Sequence, residues 1–524
     1  MRICVKGIIF SVCLAVSLIS SISESIQTIY AEGYVFLDLN KNRKMDPGEK
    51  GIPGIRVSNR RDIVLTNQQG KWRLPVLGRD TIFFVIKPKN YMTPVDDKNL
   101  PRFYYIHKPD GSPKMRYPGV QPTGELPKQI NFPLYPQKEP NKFQALFFGD
   151  TQPRDIREIE YIAHDVIEDL VGSNAKFGVT LGDIVFDDLS LFEPLARTIA
   201  LIGIPWYNVL GNHDENYDAK DDSDSDETFE SFFGPSYYSF DYGPTHFVVL
   251  DDVVWHGAVP EENKRGFYTA GLGKTQLEWL RKDLSLCPPQ QLVVLMMHIP
   301  MTEIEDRQEL YRIIEKRPYV ISVSAHTHYQ RHVFITDKDG WRGAKPHHHI
   351  VNVTVCGSWW SGSPNELGIP HTTMRCGAPN GYSIFTFNGN QYSIEFRAAK
   401  SPQQYQMNIY APETVSSSEL PKTFVQVNVF SGSEKSRVEM KVGVNGAWKI
   451  MNKVEKPDPF YSKAYEKDKT LKAPFYPLPA PIKSPHLWEA TLPPNLPKGV
   501  HPIFVRTKDM FGQTYTAVRS IRVD

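Results

Sequence analysis

Phe143-Gln-Ala-Leu-Phe-Phe-Gly-Asp150-Thr-Gln152 is an apolar run that stops abruptly at a glycine, an acid and an amide. Its first six residues read as a buried strand. Residues 155–170 then set Ile156, Ile159, Ile162, Val166, Ile167 and Leu170 on one helical face, and Phe177-Gly-Val-Thr-Leu-Gly-Asp183 repeats the strand with the same kind of ending. The alternation continues through 191–202 and 206–210, which predicts an α/β core with parallel strands. A hairpin (237–242 with 246–250), a helix (274–284), an aliphatic strand (292–297) and closing strands (350–355 and 382–387) extend it.

On either side of this core the grammar is different. Short alternating segments with Gly, Pro and Asn turns over 33–77, and again beyond residue 401, read as antiparallel sandwiches. The Pro- and Lys-rich stretch 108–141 reads as a linker. The expected organisation is a secretory signal peptide over 1–23, an N-terminal β-sandwich with its linker over 30–135, a central domain over 141–398 and a C-terminal β-sandwich over 401–524. The leader rests on Arg2 and Lys6, an apolar stretch over 7–19 and the small residues of Ser21-Ile-Ser23. It implies export, and no later segment reads as a membrane helix. Without the leader the cysteines are Cys287, Cys356 and Cys376, too few for a disulfide framework; whether Cys356 and Cys376 pair stays open. With 60 Lys+Arg against 59 Asp+Glu, no nucleic-acid partner is expected, and any phosphate recognition must be local. Oligomeric state leaves no mark on the sequence.

Five polar motifs fall where apolar strands end: Asp150-Thr-Gln152, Gly182-Asp183, Gly211-Asn212-His213-Asp214, His298 after the aliphatic run, and His326-Thr-His328. Singly, each has a bland reading as a helix cap, a turn or a satisfied core histidine. Together they form a donor set of carboxylate and amide oxygens with imidazole nitrogens, which suits Mn, Fe, Zn or Mg. Strand-end residues of an open α/β sheet gather outside its carboxyl edge, so the five are expected to meet along one edge of one sheet. His326 and His328, two residues apart, fall on one side of an extended segment. Two divalent cations about 3.5–4 Å apart repel by roughly 19 kcal/mol at an effective dielectric of about 20, so such a pair requires a shared anion between them.

These motifs resemble the calcineurin-like metallophosphoesterase family. Tyr237-Tyr-Ser-Phe-Asp-Tyr-Gly243, Gln276-Leu-Glu-Trp279-Leu, Gly357-Ser-Trp-Trp-Ser-Gly362, His486-Leu-Trp-Glu-Ala and Val505-Arg-Thr-Lys-Asp-Met-Phe-Gly resemble its exported bacterial branch with an N-terminal sandwich and a C-terminal associated domain. The resemblance implies a central metallophosphoesterase β-sandwich flanked by helices, of α/β (α+β) class, with all-β sandwich domains at both ends. It also implies a periplasmic, secreted or cell-surface bacterial location. Carried over, Asp150, Gln152, Asp183 and His328 hold one metal, Asn212, His298 and His326 the other, and Asp183 bridges. His213 is the catalytic histidine, Asp214 its orienting partner, and Asn212 and His213 also touch substrate. Gln152 stands where the family usually has histidine, and Phe186 where purple acid phosphatases have tyrosine. The implied function is a phosphoric ester hydrolase, phosphatase or phosphodiesterase, in which a metal-bridging hydroxide attacks phosphorus in line. The phosphorylated substrate's class is open. The alternative is a surface-binding multidomain protein whose phosphoesterase domain has lapsed.

Four further features have two readings each. Trp359 and Trp360 either line the substrate cleft or pack in the core. Asp38, Asn40, Asn42, Asp46 and Glu49 have the spacing of a calcium loop, and the segment resembles sandwiches of bacterial adhesins, in which such loops bind calcium structurally. Arg43 at the sixth position and strand-like flanks favour a polar turn instead. His347-His-His349 reads as surface rather than a metal tract, and the acidic run 218–227 as a solvated loop rather than a lid.

Overall fold

The computed structural model describes residues 28–258, 266–472 and 474–524; the leader expected over 1–23 lies outside them. Strand Lys142–Phe148 decides the architecture, because its alternate residues enter two different cores. Phe143, Ala145 and Phe147 face the interior between two sheets, while Leu146 and Phe148 pack with Ile159, Ile162, Leu195 and Ile199 of the helices Ile156–Ile162 and Phe192–Ala200. Asp155 caps the first of these helices by accepting the Glu158 N–H, and the helix widens to i→i+5 bonding over Ala163–Ile167 before ending at Leu170.

The five-stranded sheet runs Trp206–Val209, Gly178–Leu181, Lys142–Phe148, Gly381–Asn388, Gln391–Ala398, the first three parallel. The six-stranded sheet runs Tyr238–Tyr242, Thr245–Val249, Leu292–Met296, Val320–Ser324, His347–Val351, Arg331–Ile335, with four parallel strands at its centre. Helices Gly273–Ser285 and Arg307–Ile314 are its crossover connections. Aromatic rings fill the space between the sheets: Phe147 lies 4.2 Å from Phe385 and Tyr207 stacks on Phe240 at 3.9 Å, centroid to centroid. The central domain is thus a β-sandwich flanked by helices, of α/β class.

All-β sandwiches stand at both ends. The N-terminal one has two four-stranded sheets, and the C-terminal one has a four- and a five-stranded sheet over a core that includes Val425, Val427, Trp488, Ile503 and Val505. The C-terminal sandwich also carries a helix, Pro459–Asp468, started by the Asp458 cap and Pro459. None of the helices among the described residues is long and apolar enough to cross a membrane.

Three expectations need correction. The stretch 108–141 is not a linker: its strand Phe132–Pro136 pairs in parallel with Val35–Leu37, and buried Lys108 meets Glu227 of the central domain. Proline and lysine content suggested a solvated tether, yet proline is tolerated at sheet edges and lysine wherever it finds a carboxylate. The N-terminal sandwich is instead docked through buried charge. Arg56 contacts Asp241 at 2.5 Å and Asp283 at 3.3 Å, and His246 joins the same two carboxylates at 2.7 and 2.8 Å. Burial opposes a charge on His246, but Asp283 leads the groups that outweigh it, holding the ring protonated well above its usual range.

The histidines 347–349 are buried, not exposed, because their strand lies between two others. Ser322 Oγ meets His347 Nε2 and His349 Nδ1, each at 2.8 Å. Burial pushes both rings down to about 3, so they serve as neutral, hydrogen-bonded core. The acidic run is not wholly solvated either: Asp222 accepts the Trp255 N–H at 2.6 Å and Glu227 is buried. Cys287, Cys356 and Cys376 are all free and buried.

Candidate metal centre

Five of the parallel strands each deliver one motif at their carboxyl ends. Lys142–Phe148 leads to Asp150, Gly178–Leu181 to Asp183, Trp206–Val209 to Asn212, Leu292–Met296 to His298, and Val320–Ser324 to His326 and His328. The first three come from one sheet and the last two from the other, so the ligands meet across the top of the sandwich rather than along one sheet edge. Gln152, Asp183, His326 and His328 have φ of +42°, +48°, +69° and +54°. His326 and His328 therefore sit in a left-handed bend and not in an extended segment. Such backbone costs of order 1–3 kcal/mol per residue and gathers at functional sites. Glycines make room for it: a Cβ on Gly182 would stand 2.4 Å from the His298 ring, and one on Gly211 2.0 Å from the Asp183 nitrogen.

Two clusters of ligand atoms result, each drawn together within 4.8 Å: Asp150, Asp183 and His328, and Asp183, His298 and His326. Asp183 belongs to both. His298 Nδ1 donates to Leu181 O (2.8 Å) and His328 Nδ1 to Gly357 O (2.7 Å), which turns Nε2 of each ring towards a carboxylate: Asp183 Oδ1 at 3.2 Å and Asp150 Oδ1 at 3.7 Å. A backbone carbonyl on the far nitrogen is the usual support of a metal-binding imidazole. Asn212 Oδ1 and His326 Nδ1 approach His298 Nε2 at 3.1 and 3.0 Å. Gln152 Nε2 contacts Asp183 Oδ2 at 2.8 Å, and a half-turn of the amide would present its oxygen instead.

The donor set fits divalent cations. Asp150 Oδ1 is buried without a hydrogen-bond partner, and buried acceptors left bare are costly unless a proton or cation meets them. Burial, reinforced by the charge of Asp183, raises the Asp150 carboxyl well above its usual range. Burial drives His326 down to about 4 and His328 to about 3, so both are bare ligands near neutrality. Burial also opposes charge on His298, but Asp183 outweighs it and holds that ring up to about 10. Asp183, His298 and His326 would hold a cation there with both imidazoles deprotonated, so binding at this cluster would compete with protons.

His213 stands beside the pair, its backbone N–H on Asp183 Oδ1 at 3.0 Å and its ring stacked on Phe186 at 4.5 Å. Its orienting partner is Asp187, 2.5 Å from Nδ1, not Asp214. Asp214 instead accepts the backbone N–H groups of Ile184, Val185 and Gly211 at 3.0, 3.1 and 2.9 Å, bracing the two turns that carry Asp183 and Asn212. Burial and then Asp183 push it up to about 7. Three contributors escaped sequence reading. Asp187 looked like part of a solvated turn. Tyr217 shares its one hydroxyl proton between Asp187 Oδ1 and Asn212 O, each 2.8 Å away. Asp252 holds the backbone N–H groups of His298 and Ile299 at 3.1 and 2.9 Å; as an acid just past the strand Thr245–Val249, it repeats the strand-end pattern and was findable.

The two tryptophans separate. Trp359 stacks on His328 at 3.9 Å and is part of the site's wall. Trp360 is core: it is 1 % exposed, and its indole N–H donates to Thr151 O at 3.1 Å. Trp360→Ala is therefore expected to cost stability, about 3–5 kcal/mol, read as a lowered urea midpoint; a changed KM at unchanged stability would return this residue to the cleft. In the N-terminal loop, Asp38 accepts the N–H groups of Lys41 and Arg43, Asp46 accepts both Asn40 and Asn42 amides, and Glu49 accepts the N–H groups of Leu39 and Asp46. These hydrogen bonds hold the loop, and Asp38, Asp46 and Glu49 form no cluster of three His, Cys or carboxylate atoms among the described residues.

Three family models match the chain: N terminal of Calcineurin-like phosphoesterase over residues 39–118, Calcineurin-like phosphoesterase over 143–330, and C terminal of Calcineurin-like phosphoesterase over 349–515. Among solved structures, the chain is similar to one titled "Structure of PhoD", at 11 % identity over 66 % of this chain and 81 % of that one, with a TM-score of 0.36. It is also similar to the purple acid phosphatase PPD1 from yellow lupin (Lupinus luteus) seeds, at 13 % identity over 70 % of this chain and 88 % of that one, with a TM-score of 0.36. No curated protein matches it. With the three models following one another along the sequence and the ligand clusters lying at the strand ends of the middle one, the chain belongs to the calcineurin-like phosphoesterase family and is a metal-dependent phosphoesterase.

Proposed function

We propose that this phosphoesterase is exported and works through two divalent cations, one held by Asp150, Gln152, Asp183 and His328 and the other by Asn212, His298 and His326, with Asp183 shared. The observation that carries the reading is the membership of Asp183 in both ligand clusters. A carboxylate common to two cations offsets the repulsion that would otherwise drive them apart. The donors suit Mn, Fe, Zn or Mg, and the leader composition over 1–23 supports export. Once bound, the cations would supply Lewis acidity towards the phosphoryl oxygens and lower the pKa of water at the site.

The chain's own residues supply the rest. Burial lowers the His213 pKa, but Asp183 and Asp187 outweigh it and raise it above the ordinary value, so the imidazolium is held to higher pH than that of a free histidine. From its place over the cluster it can neutralise charge growing on phosphate or protonate the leaving oxygen. Asp187, steadied by Tyr217, keeps that ring aimed. A lapsed enzyme kept as a binding module would have no need to retain all seven ligands together with their supports.

The test is hydrolysis of phosphate monoesters and diesters by the mature chain reconstituted with Mn, Zn or Mg. Metal-dependent turnover of one ester class, lost on chelation, is expected. No turnover of either class with any of the metals would overturn the reading.

A further inference from the structure

Beside the metal centre, Tyr217, Trp255, Phe267 and Tyr268, with Ala258 and Gly266, line a cleft of about 660 Å³. The antiparallel pair Val253–His256 and Phe267–Ala270 builds its wall, setting Trp255 opposite Tyr268. Tyr217 stacks on Trp255 at 5.2 Å and 18°. The wall is unusually bare: Phe267 is 58 % exposed, Tyr268 37 % and Tyr217 38 %. Grouped exposed rings mark binding surfaces more often than chance surface.

The cleft is continuous with the reacting centre. The Tyr268 ring lies 6.1 Å from that of His326, and the Tyr217 hydroxyl lies 3.4 Å from His213 Nδ1. An ester with its phosphorus between the two ligand clusters would therefore extend its organic group along these rings. The chemistry of the wall narrows that group. Tyr217 OH is engaged with Asp187 and Asn212, and the Trp255 indole N–H with Ala219 O, so the wall presents mainly carbon faces. A polyol would lose water there without gaining partners. Among the described residues, burial and then the carboxylates of Asp183, Glu215 and Glu303 raise the Tyr268 pKa, and no lysine or arginine among them lines the cleft. A flat uncharged ring would stack on these faces, as bases do on aromatic side chains.

Building on the proposed hydrolase activity, we propose that the substrate is a small phosphoester carrying a nucleobase or an equivalent uncharged aromatic ring, and that Phe267 and Tyr268 select it. The full chain, loaded with the active metal, is to be compared on adenosine 5′-monophosphate and ribose 5-phosphate, and on their methyl diesters. Within each pair the reacting ester is the same and only the base differs. A kcat/KM at least about tenfold higher for the base-bearing ester is expected, carried mainly by KM, with the ratio falling towards one in the Phe267→Ala/Tyr268→Ala double variant. Both side chains are exposed, so their truncation leaves the core intact. Equilibrium dialysis of the metal-free chain against the two monoesters gives a second readout, in which adenosine monophosphate is expected to bind about tenfold tighter. Equal kcat/KM for both members of each pair, or a preference unchanged in the double variant, overturns the cleft assignment and leaves the hydrolase standing. Hydrolysis of neither pair together with equal dialysis overturns both. Hydrolysis of neither with the tenfold dialysis difference overturns the hydrolase and keeps the cleft.

Discussion

Asp183→Asn is expected to lower kcat/KM by at least about a thousandfold and to empty the site of metal. The amide keeps the size of the carboxylate, can still accept the His213 N–H that now meets Oδ1, and tolerates the left-handed φ of +48° better than alanine would. What it removes is the negative charge between the two clusters. In the metal-free chain that charge raises Asp214 and Asp150, but against burial His298 leads the groups that pull the Asp183 carboxyl well below its usual range, so the buried pair of Asp183 with the protonated His298 ring is net stabilising. The metal-free variant should therefore melt below the metal-free wild type near neutral pH, the difference narrowing as acid protonates the carboxylate. Calorimetry on both chains in chelator checks this; an unchanged or raised melting temperature would mean that the pairing of Asp183 with His298 contributes nothing without metal.

His213→Ala has the second largest expected effect, a loss of about a hundredfold to a thousandfold in kcat with metal content unchanged. The backbone N–H of residue 213, which meets Asp183, survives the substitution. The ring that disappears is 22 % exposed and stacks on Phe186, so little packing is lost. Asp187→Asn serves as the graded control. It keeps the contact to the His213 ring but withdraws one of the three carboxylate charges, those of Asp183, Asp187 and Asp214, that raise its pKa, so the limb of the pH–rate profile on which the imidazolium is lost should move to lower pH. Steady-state kinetics across pH, with metal analysis of each variant, reads both effects. Near-normal turnover in His213→Ala would remove this histidine from the chemistry.

Much of this was legible in the chain. Apolar runs that stop at glycine-plus-acid reveal parallel strands and their functional edge together, because only at strand ends can buried backbone hand over to polar chemistry. Hence the motifs that contain Asp150, Asp183, Asn212, His298, His326 and His328 stood out by their places at strand ends, while the role of each residue came from the family resemblance. Pairwise geometry was harder. The partner of His213 depends on the path of the turn through Phe186, Asp187 and Asp188, which no periodicity describes, and Asp214, though adjacent to His213, faces the opposite way. Neighbouring tryptophans parted because successive left-handed residues, φ +56° and +49°, send Trp359 to His328 and Trp360 inward. The histidines 347–349 looked exposed because polarity was read without knowing that strands flank them on both sides. Charge suggested a tether over 108–141, whereas the buried partners of its lysine come from remote sequence.

The most direct test is the number of metal equivalents bound per chain, measured by mass spectrometry of the metal after reconstitution and removal of excess. Two equivalents in the wild type and essentially none in Asp183→Asn are predicted. A single equivalent in the wild type, or two retained by the variant, would contradict a cation pair joined through Asp183.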